Sequence, residues 1–304
     1  MGTPDFAVPT FHALHRSPYD LKLVVTQPDR PRGRGRRLAP PPVKQAALDL
    51  GYDVRQPDKI RDPGFMNLLE SIAPDFLVVV AFGRILPSAV LGIPRRGAVN
   101  VHASLRPRVR GPAPIQWAIL RGEARTGVTT MLMDVGVDTG DILLSAATAI
   151  DPEDTAATLH DRLAVMGADL LVETIRGVCS GDVLPRAQNH TQATFAPMLK
   201  KEDGRIQWNQ PALSIDARIR AMTPWPGAYC FLDNKRYKIH RARPIAGVSI
   251  SPPGTVVPGF PDELRIATGD GVLSILEIQG ESGKRLPVEK FLRGNSITPG
   301  ATFE

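Results

Sequence analysis

The sequence predicts an α/β protein in which a doubly wound, mostly parallel sheet is followed by a smaller domain of short strands. Three observations support this prediction. Residues 75–81 are apolar at successive positions on both faces, as in a buried parallel strand. Apolar residues at helical spacing from 155 to 178 predict one long amphipathic helix. From residue 206 onward, short β-like runs broken by Pro and Gly favour a small barrel or sandwich.

Strands and helices are predicted to alternate in the first part of the chain. Strands are expected at 21–26, 52–54, 75–81 and around Asn100, and helices at 42–50, 65–72, 113–120 and 155–178. Pro42 lies in the first turn of the helix expected at 42–50, and Gly51 lies just past its end. Asp154 is the expected N-cap of the long helix. Further strands are expected at 228–232, 236–239, 254–257, 264–267 and 272–278.

The chain opens on Gly2-Thr3-Pro4-Asp5, which has the composition of a loop leading into a helix. We therefore expect the first strand of the doubly wound sheet to be missing, which leaves an incomplete sheet with an exposed edge. The long helix closes the first domain, and polar, turn-rich residues follow it. The expected domains are 1–184 and 206–304, joined by a linker at 185–205.

Composition limits the class of protein. Of 304 residues, 42% are hydrophobic and 22% charged, which is typical of a globular protein, and no apolar stretch approaches the roughly 18 residues of a membrane span. Cys179 and Cys230 are too few for a disulfide framework, which favours a reducing, cytoplasmic location. A net charge of +6 favours polyanionic partners where the basic residues cluster.

Residues that can carry chemistry gather around one predicted strand. Asn100, His102 and Ser104 alternate with apolar residues and so share one face. The Gly- and Asp-rich turn at 134–141 brings a carboxylate near the imidazole if the two strands are neighbours. These segments offer no activated nucleophile and no second His at metal-ligand spacing, which suits a reaction whose substrate supplies the nucleophile. A structural histidine and ordinary turn chemistry are the alternatives.

Two stretches are rich in basic residues. Five arginines alternate with Gly and Pro at 28–38, and the guanidinium group recognises phosphate bidentately. The alternative is a solvated, flexible loop. Six basic residues lie within 235–243, which fits an RNA-facing surface or, equally, an edge strand protected by charge. The arginine-rich stretch favours the RNA-facing interpretation.

These motifs together resemble the family of folate-dependent formyltransferases. The matching segments are 2–7, 27–31, 100–107, 110–116, 134–141, 196–199 and 224–228. The basic loop and the C-terminal half imply a member that acts on tRNA. The resemblance implies transfer of the formyl group of 10-formyltetrahydrofolate to the α-amino group of an initiator methionyl-tRNA, for translation initiation. It also implies an OB-like barrel as second domain and, in other members, an apolar strand before residue 2. We expect a monomer that needs no metal.

The resemblance also implies roles for residues. Asn100 and protonated His102 donate hydrogen bonds to the oxyanion, and Asp138 orients His102, raises its pKa and accepts the amine proton through a water. Sequence alone does not separate Asp138 from Asp134 and Asp141. The implied folate-binding residues are Ser104, Leu105, Arg106, Pro107, Gly83, Arg84, Ile85 and Leu86. The implied tRNA-binding residues are Arg32, Arg34, Arg36, Arg37, Lys238 and Arg241, with Arg34 as the main reader.

Arg106 departs from the family pattern Ser-Leu-Leu-Pro, and we expect it to meet the glutamate tail of the folate or to face solvent. Two other functions stay open. A formyltransferase for a small amine would keep the residues around His102 but has no use for the basic segments. A non-catalytic RNA-binding protein would keep the basic segments and tolerate the loss of Asn100, His102 and Asp138.

Overall fold

The computed structural model describes residues 1–32, 37–245, 247 and 250–304. The chain divides into two compact units, each built from three segments: 1–114, 125–149 and 160–196 form the first, and 115–124, 150–159 and 197–304 form the second. Within the described ranges, we find no helix with the length and apolar character needed to span a membrane.

The first part of the chain alternates strands and helices, as predicted. Its strands are β1 (Val24–Val25), β2 (Arg30–Arg32), β3 (Arg37–Ala39), β4 (Val54–Arg55), β5 (Leu77–Val79), β6 (Ala98–His102), β7 (Arg125–Leu132) and β8 (Ile142–Ala149). Its helices are α1 (Val8–Arg16), α2 (Pro42–Asp49), α3 (Pro63–Ile72), α4 (Ser88–Leu91), α5 (Pro114–Leu120) and α6 (Ala156–Ser180).

The sheet of the first unit is interrupted. β1 pairs with β4 in a parallel two-stranded sheet, and a second sheet has the order β5-β6-β7-β8. β5 and β6 are parallel, whereas β6 and β7, and likewise β7 and β8, pair antiparallel. The predicted α/β class is confirmed. The predicted strand at 21–26 is reduced to Val24–Val25, the two residues that pair with β4.

The N-cap prediction for the long helix is wrong. Thr155 directly precedes the first residue of α6, and its Oγ1 accepts a hydrogen bond of 3.2 Å from N of Thr158. The carboxylate of Asp154 instead accepts from N of Asp151 at 2.8 Å and from Oγ1 of Thr158 at 2.9 Å. Two adjacent residues could cap the helix, and the one nearer to its start does so.

The second unit contains an antiparallel sheet in the order β11-β12-β13-β10-β9, with β14 on β13. The C-terminal residues connect its ends, because Phe231 in β9 and Glu304 exchange hydrogen bonds of 2.9 and 2.8 Å, and N of Val256 donates to O of Ala301 at 2.8 Å. This closure confirms the predicted barrel-like domain. The elements are α7 (Ala212–Ala221), β9 (Ala228–Leu232), β10 (Lys235–Ile245), β11 (Val256–Val257), β12 (Leu264–Ala267), β13 (Val272–Gln279), β14 (Leu286–Pro287) and α8 (Val288–Leu292).

Candidate active site

Strand β6 positions the imidazole at its C-terminal end. β6 lies between β5 and β7, with His102 opposite Thr129. His102 is buried, and its Nδ1 lies 3.1 Å from Oγ of Ser104. Since that hydroxyl donates to O of Arg108 at 3.0 Å, Nδ1 of the ring is the donor in the His102–Ser104 bond. The ring is therefore held with Nε2 pointing away from Ser104. Asn100 lies two residues earlier, opposite Met131.

Asp138 is the acidic residue of the turn between β7 and β8 that contacts His102. Its Oδ2 lies 3.2 Å from Nε2 of His102 and accepts a hydrogen bond of 2.9 Å from N of Gly111. Asp134 stabilises the turn instead, because its carboxylate accepts a hydrogen bond from N of Gly136. The side chain of Asp141 is exposed. The geometry thus separates three carboxylates that are equivalent in the sequence.

Arg106 is the third group at this carboxylate, and sequence reasoning did not place it there. Its side chain is 0% exposed, and Nη2 lies 3.0 Å from Oδ2 of Asp138. The expected alternative in which Arg106 faces solvent is wrong. Nε and Nη1 of the same guanidinium are buried and lack a hydrogen-bond partner within the described part of the chain. The arginine therefore has unused donors beside the His102–Asp138 pair.

Burial, neighbouring charges and hydrogen bonds shift the pKa values of His102 and Asp138. Burial by itself raises the pKa of Asp138, but the hydrogen bond and charge of His102, the charge of Arg106 and the amide of Gly111 hold it well below its usual range. For His102, burial lowers the pKa, Arg106 lowers it further, and Asp138 opposes both without cancelling them. Asp138 therefore acts on the pKa of His102 in the expected direction, but burial and then the charge of Arg106 outweigh it, so the pKa is lowered overall.

The loop that carries Asp138 is held by residues that the sequence analysis placed in a linker. Gln188 is buried, and its Nε2 donates to O of Asp138 at 3.0 Å and to O of Gly140 at 2.6 Å. Its Oε1 accepts a hydrogen bond of 2.8 Å from Nη2 of Arg110, which also contacts Nδ1 of His190 at 2.9 Å. A lone glutamine in a polar segment has no sequence pattern that would have revealed this role.

The two predicted folate-binding segments both follow strands that are neighbours in the sheet. The segment 83–86 follows β5 and the segment 104–107 follows β6, and these parallel strands end at the same edge. Ligands of open α/β sheets bind at such an edge. Ile85 is 82% exposed, whereas Leu86 is buried. Nη1 of Arg84 donates to O of Pro57 and O of Asp58, each at 2.9 Å, which fixes the segment.

The arginine-rich stretch forms a hairpin in its described part. β2 and β3 pair antiparallel, with Arg32 opposite Arg37. The predicted RNA contacts Arg34 and Arg36 lie outside the described residues. Because β2 and β3 are paired strands, the alternative of a solvated, flexible loop does not hold for the residues within them.

The second basic segment lies within β10, between two other strands of the sheet. β10 pairs with both β9 and β13, so the alternative of an edge strand is wrong. An irregular register near Arg241 lets Ile239 and Ala242 both be buried and leaves Arg241 exposed. Nη2 of Arg241 lies 3.2 Å from Oε2 of Glu153, and both side chains are more than half exposed. Lys238 is partly exposed on the same strand.

Comparison with known proteins identifies the class of this fold and site. Residues 1–175 match the model of the formyl transferase family, and residues 198–296 match the model of the formyl transferase C-terminal domain. The chain belongs to the formyl transferase family, as the sequence motifs predicted. It is 48% identical over 298 residues to a methionyl-tRNA formyltransferase of Solibacter usitatus, which covers 98% of this chain and 95% of that protein.

Two solved structures share the fold. An N-formyltransferase of Helicobacter canadensis, in complex with folinic acid and dTDP-3-aminofucose, aligns with a TM-score of 0.65 at 18% identity over 94% of this chain and 97% of that one. HypX of Aquifex aeolicus, in complex with tetrahydrofolic acid, aligns with a TM-score of 0.57 at 20% identity over 84% of this chain. This alignment covers 47% of the HypX chain. At these identities the likeness concerns the fold alone.

Proposed function

We propose that this chain transfers the formyl group of 10-formyltetrahydrofolate to the α-amino group of methionyl-tRNA. The observation that carries the proposal is the identity of 48% to a methionyl-tRNA formyltransferase over nearly the full length of both chains. The contact between His102 and Asp138 supports a catalytic role for the site, because a buried imidazole held by a carboxylate is suited to proton transfer.

The substrate amine supplies the nucleophile in this reaction. An α-amino group has a pKa near 8, so a useful fraction is neutral at physiological pH. As its nitrogen bonds to the formyl carbon, the amine loses a proton to Nε2 of His102. The lowered pKa of His102 supports this role, because it favours the neutral ring, in which Nδ1 donates to Ser104 and Nε2 is the atom that accepts. Protonation of Nε2 gives the ring a donor toward the carboxylate of Asp138, which favours the transfer. Asp138 stabilises the imidazolium that forms.

His102 then passes the proton to the leaving group. When the bond between the formyl carbon and the folate nitrogen breaks, His102 returns the proton to that nitrogen, so that protons and electron pairs balance. The side-chain amide of Asn100 donates a hydrogen bond to the formyl oxygen as negative charge develops there, and the positive charge of the imidazolium, whose N–H groups face Ser104 and Asp138, stabilises the same charge. One such donor contributes about 3 kcal/mol in other enzymes.

The folate is proposed to bind at the edge formed by the segments 83–86 and 104–107. The residues present fit such a ligand, since Nε and Nη1 of Arg106 are buried donors that lack an acceptor among the described residues. A carbonyl or carboxylate oxygen of the folate supplies that acceptor. This keeps Ser104, Leu105 and Pro107 as proposed contacts of the same ligand.

The tRNA is proposed to contact the basic residues of both units. Lys238 is the proposed phosphate contact on β10, while Arg241 already has Glu153 as a partner. Arg32, Arg34, Arg36 and Arg37 are kept as proposed contacts of the acceptor end. The catalytic domain at 1–184, the tRNA-binding domain at 206–304, the cytoplasmic location and the monomeric state likewise stay predictions.

The decisive experiment is mass spectrometry of methionyl-tRNA after incubation with the protein and 10-formyltetrahydrofolate. A mass gain of one formyl group on the methionyl ester is expected. The small-amine alternative is tested in parallel with a dTDP-amino sugar as acceptor. Formylation of the sugar without formylation of the tRNA would overturn the proposed substrate.

The roles in catalysis are tested with paired variants of the same turn. Asp138→Asn removes the carboxylate that contacts His102, and we expect kcat to fall by at least a hundredfold with little change in the Kd for tRNA. Asp141→Asn makes the same chemical change at an exposed position of the turn and is expected to leave kcat near wild type. Equal effects of both variants would remove Asp138 from the mechanism.

A further inference from the structure

The side-chain amide of Gln27 joins two segments that are expected to bind different ligands. Gln27 lies two residues after the end of β1. Its Nε2 donates a hydrogen bond of 2.8 Å to O of Phe82, which directly precedes the proposed folate-binding segment 83–86. Its Oε1 accepts a hydrogen bond of 2.8 Å from Nη2 of Arg30, the first residue of β2. One amide thus connects the proposed folate-binding segment to the start of the arginine-rich strand pair.

Gly83 allows the amide of Gln27 to lie directly against the main chain. The φ angle of Gly83 is +76°, a conformation that glycine adopts without steric cost. A Cβ atom at this position would overlap Nε2 of Gln27. The main-chain conformation at the start of the segment 83–86 is therefore shaped by a close contact with one side chain.

The main chain at Gln27 is anchored independently of the Gln27 side chain. Nε2 of Gln56 donates to O of Gln27 at 2.7 Å and to Oδ1 of Asp29 at 2.8 Å. Nζ of Lys44 donates to both oxygens of the same carboxylate at 2.9 Å and to Oε1 of Gln56 at 2.7 Å. The hydrogen bonds from Lys44 and Gln56 lower the pKa of Asp29. Replacement of the Gln27 side chain leaves these anchors in place, so we expect such variants to fold.

Arg30 determines which way the amide of Gln27 faces. A guanidinium group has donors and no acceptor, so Nη2 of Arg30 contacts the amide oxygen and leaves the amide nitrogen to face Phe82. The flipped amide would place Oε1 against O of Phe82, which are both acceptors, and Nε2 against the guanidinium, which are both donors. The orientation of the amide is therefore set by the residue in β2, and its donor acts on the folate-binding segment.

We propose that Gln27 is a positioning residue of the folate site, which holds the segment 83–86 in the conformation that binds the folate, while Arg30 orients its amide. This role rests on the proposed function, because that function assigns the folate to this edge of the sheet. Neither hydrogen bond of the Gln27 amide involves His102 or Asp138. A side chain that positions a ligand without contact with the reacting groups changes the KM for that ligand and leaves kcat unchanged.

Gln27→Leu tests the role of the amide, because leucine removes both hydrogen bonds at similar volume. O of Phe82 then keeps a longer hydrogen bond of 3.2 Å from Oγ1 of Thr3. We expect the KM for 10-formyltetrahydrofolate to rise about tenfold, while kcat stays within about twofold of wild type. Gln45→Leu is the matched control, since it removes an exposed glutamine that donates to Oδ1 of Asp49, and it is expected to change neither constant.

Gln27→Glu separates the two halves of the amide. Glutamate keeps an acceptor for Arg30 but offers no donor to O of Phe82, so we expect a rise in KM at least as large as in Gln27→Leu. Arg30→Met removes only the group that orients the amide, and a smaller rise of about two- to threefold is expected. A KM of wild-type size in Gln27→Glu would overturn the role of the Nε2 donor.

Direct binding of folinic acid, measured by isothermal titration calorimetry, tests the role of Gln27 without any tRNA. We expect the Kd to rise about tenfold in Gln27→Leu and to stay unchanged in Gln45→Leu. If this difference is found but methionyl-tRNA is not formylated, the proposed substrate is refuted and the role of Gln27 is supported. An equal Kd in the two variants, a fall in kcat at unchanged KM, or no binding of folinic acid by the wild type would overturn the positioning role.

Discussion

Replacement of Arg106 by Leu is the perturbation that most directly tests the electrostatics of the site. The guanidinium and the imidazole contact the same oxygen of Asp138, at 3.0 and 3.2 Å respectively. In the wild type, both compete for one negative charge. Arg106→Leu leaves this carboxylate with the imidazole and the amide of Gly111 as partners. We therefore expect the pKa of His102 to rise in the variant.

The size of the effect follows from Coulomb's law. Because the two contacts share Oδ2, the cationic nitrogens of Arg106 and His102 lie within about 6 Å of each other. Two like charges at that distance repel by about 3 kcal/mol at an effective dielectric constant near 20. The sign is definite, since the repulsion penalises only the protonated imidazole. We expect the variant to remain folded, because Asp138 keeps His102 and the amide of Gly111 as partners and is not left as an unpaired buried charge.

The assay is an NMR titration of the ¹⁵N-labelled histidines, of which the chain has six. His102→Gln identifies the resonances of His102. Arg108→Leu removes the same charge from an exposed side chain nearby and is expected to leave the titration of His102 unchanged. An unchanged or lower pKa of His102 in Arg106→Leu would refute the view that Arg106 opposes its protonation.

Further predictions concern stability and RNA binding. The depressed pKa of Asp138 contributes stability that is present above pH 4 and is lost as the pH falls further, so Asp138→Asn should flatten the acid limb of the unfolding free energy measured with urea. Gln188→Leu is expected to lower the unfolding free energy by about 1–3 kcal/mol, because two loop carbonyls lose their buried donor, and to lower kcat. Lys238→Ala should reduce the salt dependence of tRNA binding by about one ion, while Arg241→Ala has a smaller effect because Glu153 already partners Arg241. Equal dependences of the tRNA affinity on salt concentration in the two variants, measured by filter binding, would contradict the larger effect expected for Lys238→Ala.

The spacing of apolar residues and the positions of Pro and Gly explain which elements were predictable from the sequence. Pro and Gly mark the limits of α2, and the continuous helical spacing of α6 allowed its length to be predicted to within a few residues. Strand lengths were less predictable, because a strand extends only as far as its partner. β10 is longer than predicted because β13 pairs with it as far as Ile245.

The candidate site was predictable only in part. Alternation in β6 indicated that Asn100 and His102 share a face, and the resemblance singled out Asp138, but neither shows how the charges are shared. Arg106 stands at a position where the family pattern has Leu, so the pattern implies a folate contact there but no charged group beside Asp138. The contribution of Gln188 depends on a fold in which residues 50 positions apart meet, which no local pattern encodes.

The geometry at Asp138 links ligand binding to the protonation of His102. A single carboxylate oxygen receives the amide of Gly111, the imidazole and a guanidinium that has unused donors of its own. A ligand acceptor that binds Arg106 gives the guanidinium a second negative or dipolar partner. The interaction of the guanidinium with Asp138 is then weaker. The carboxylate then favours the imidazolium more strongly, which is the form that must follow proton transfer from the amine. A ligand that binds Arg106 therefore also stabilises the positive charge that the reaction places on His102.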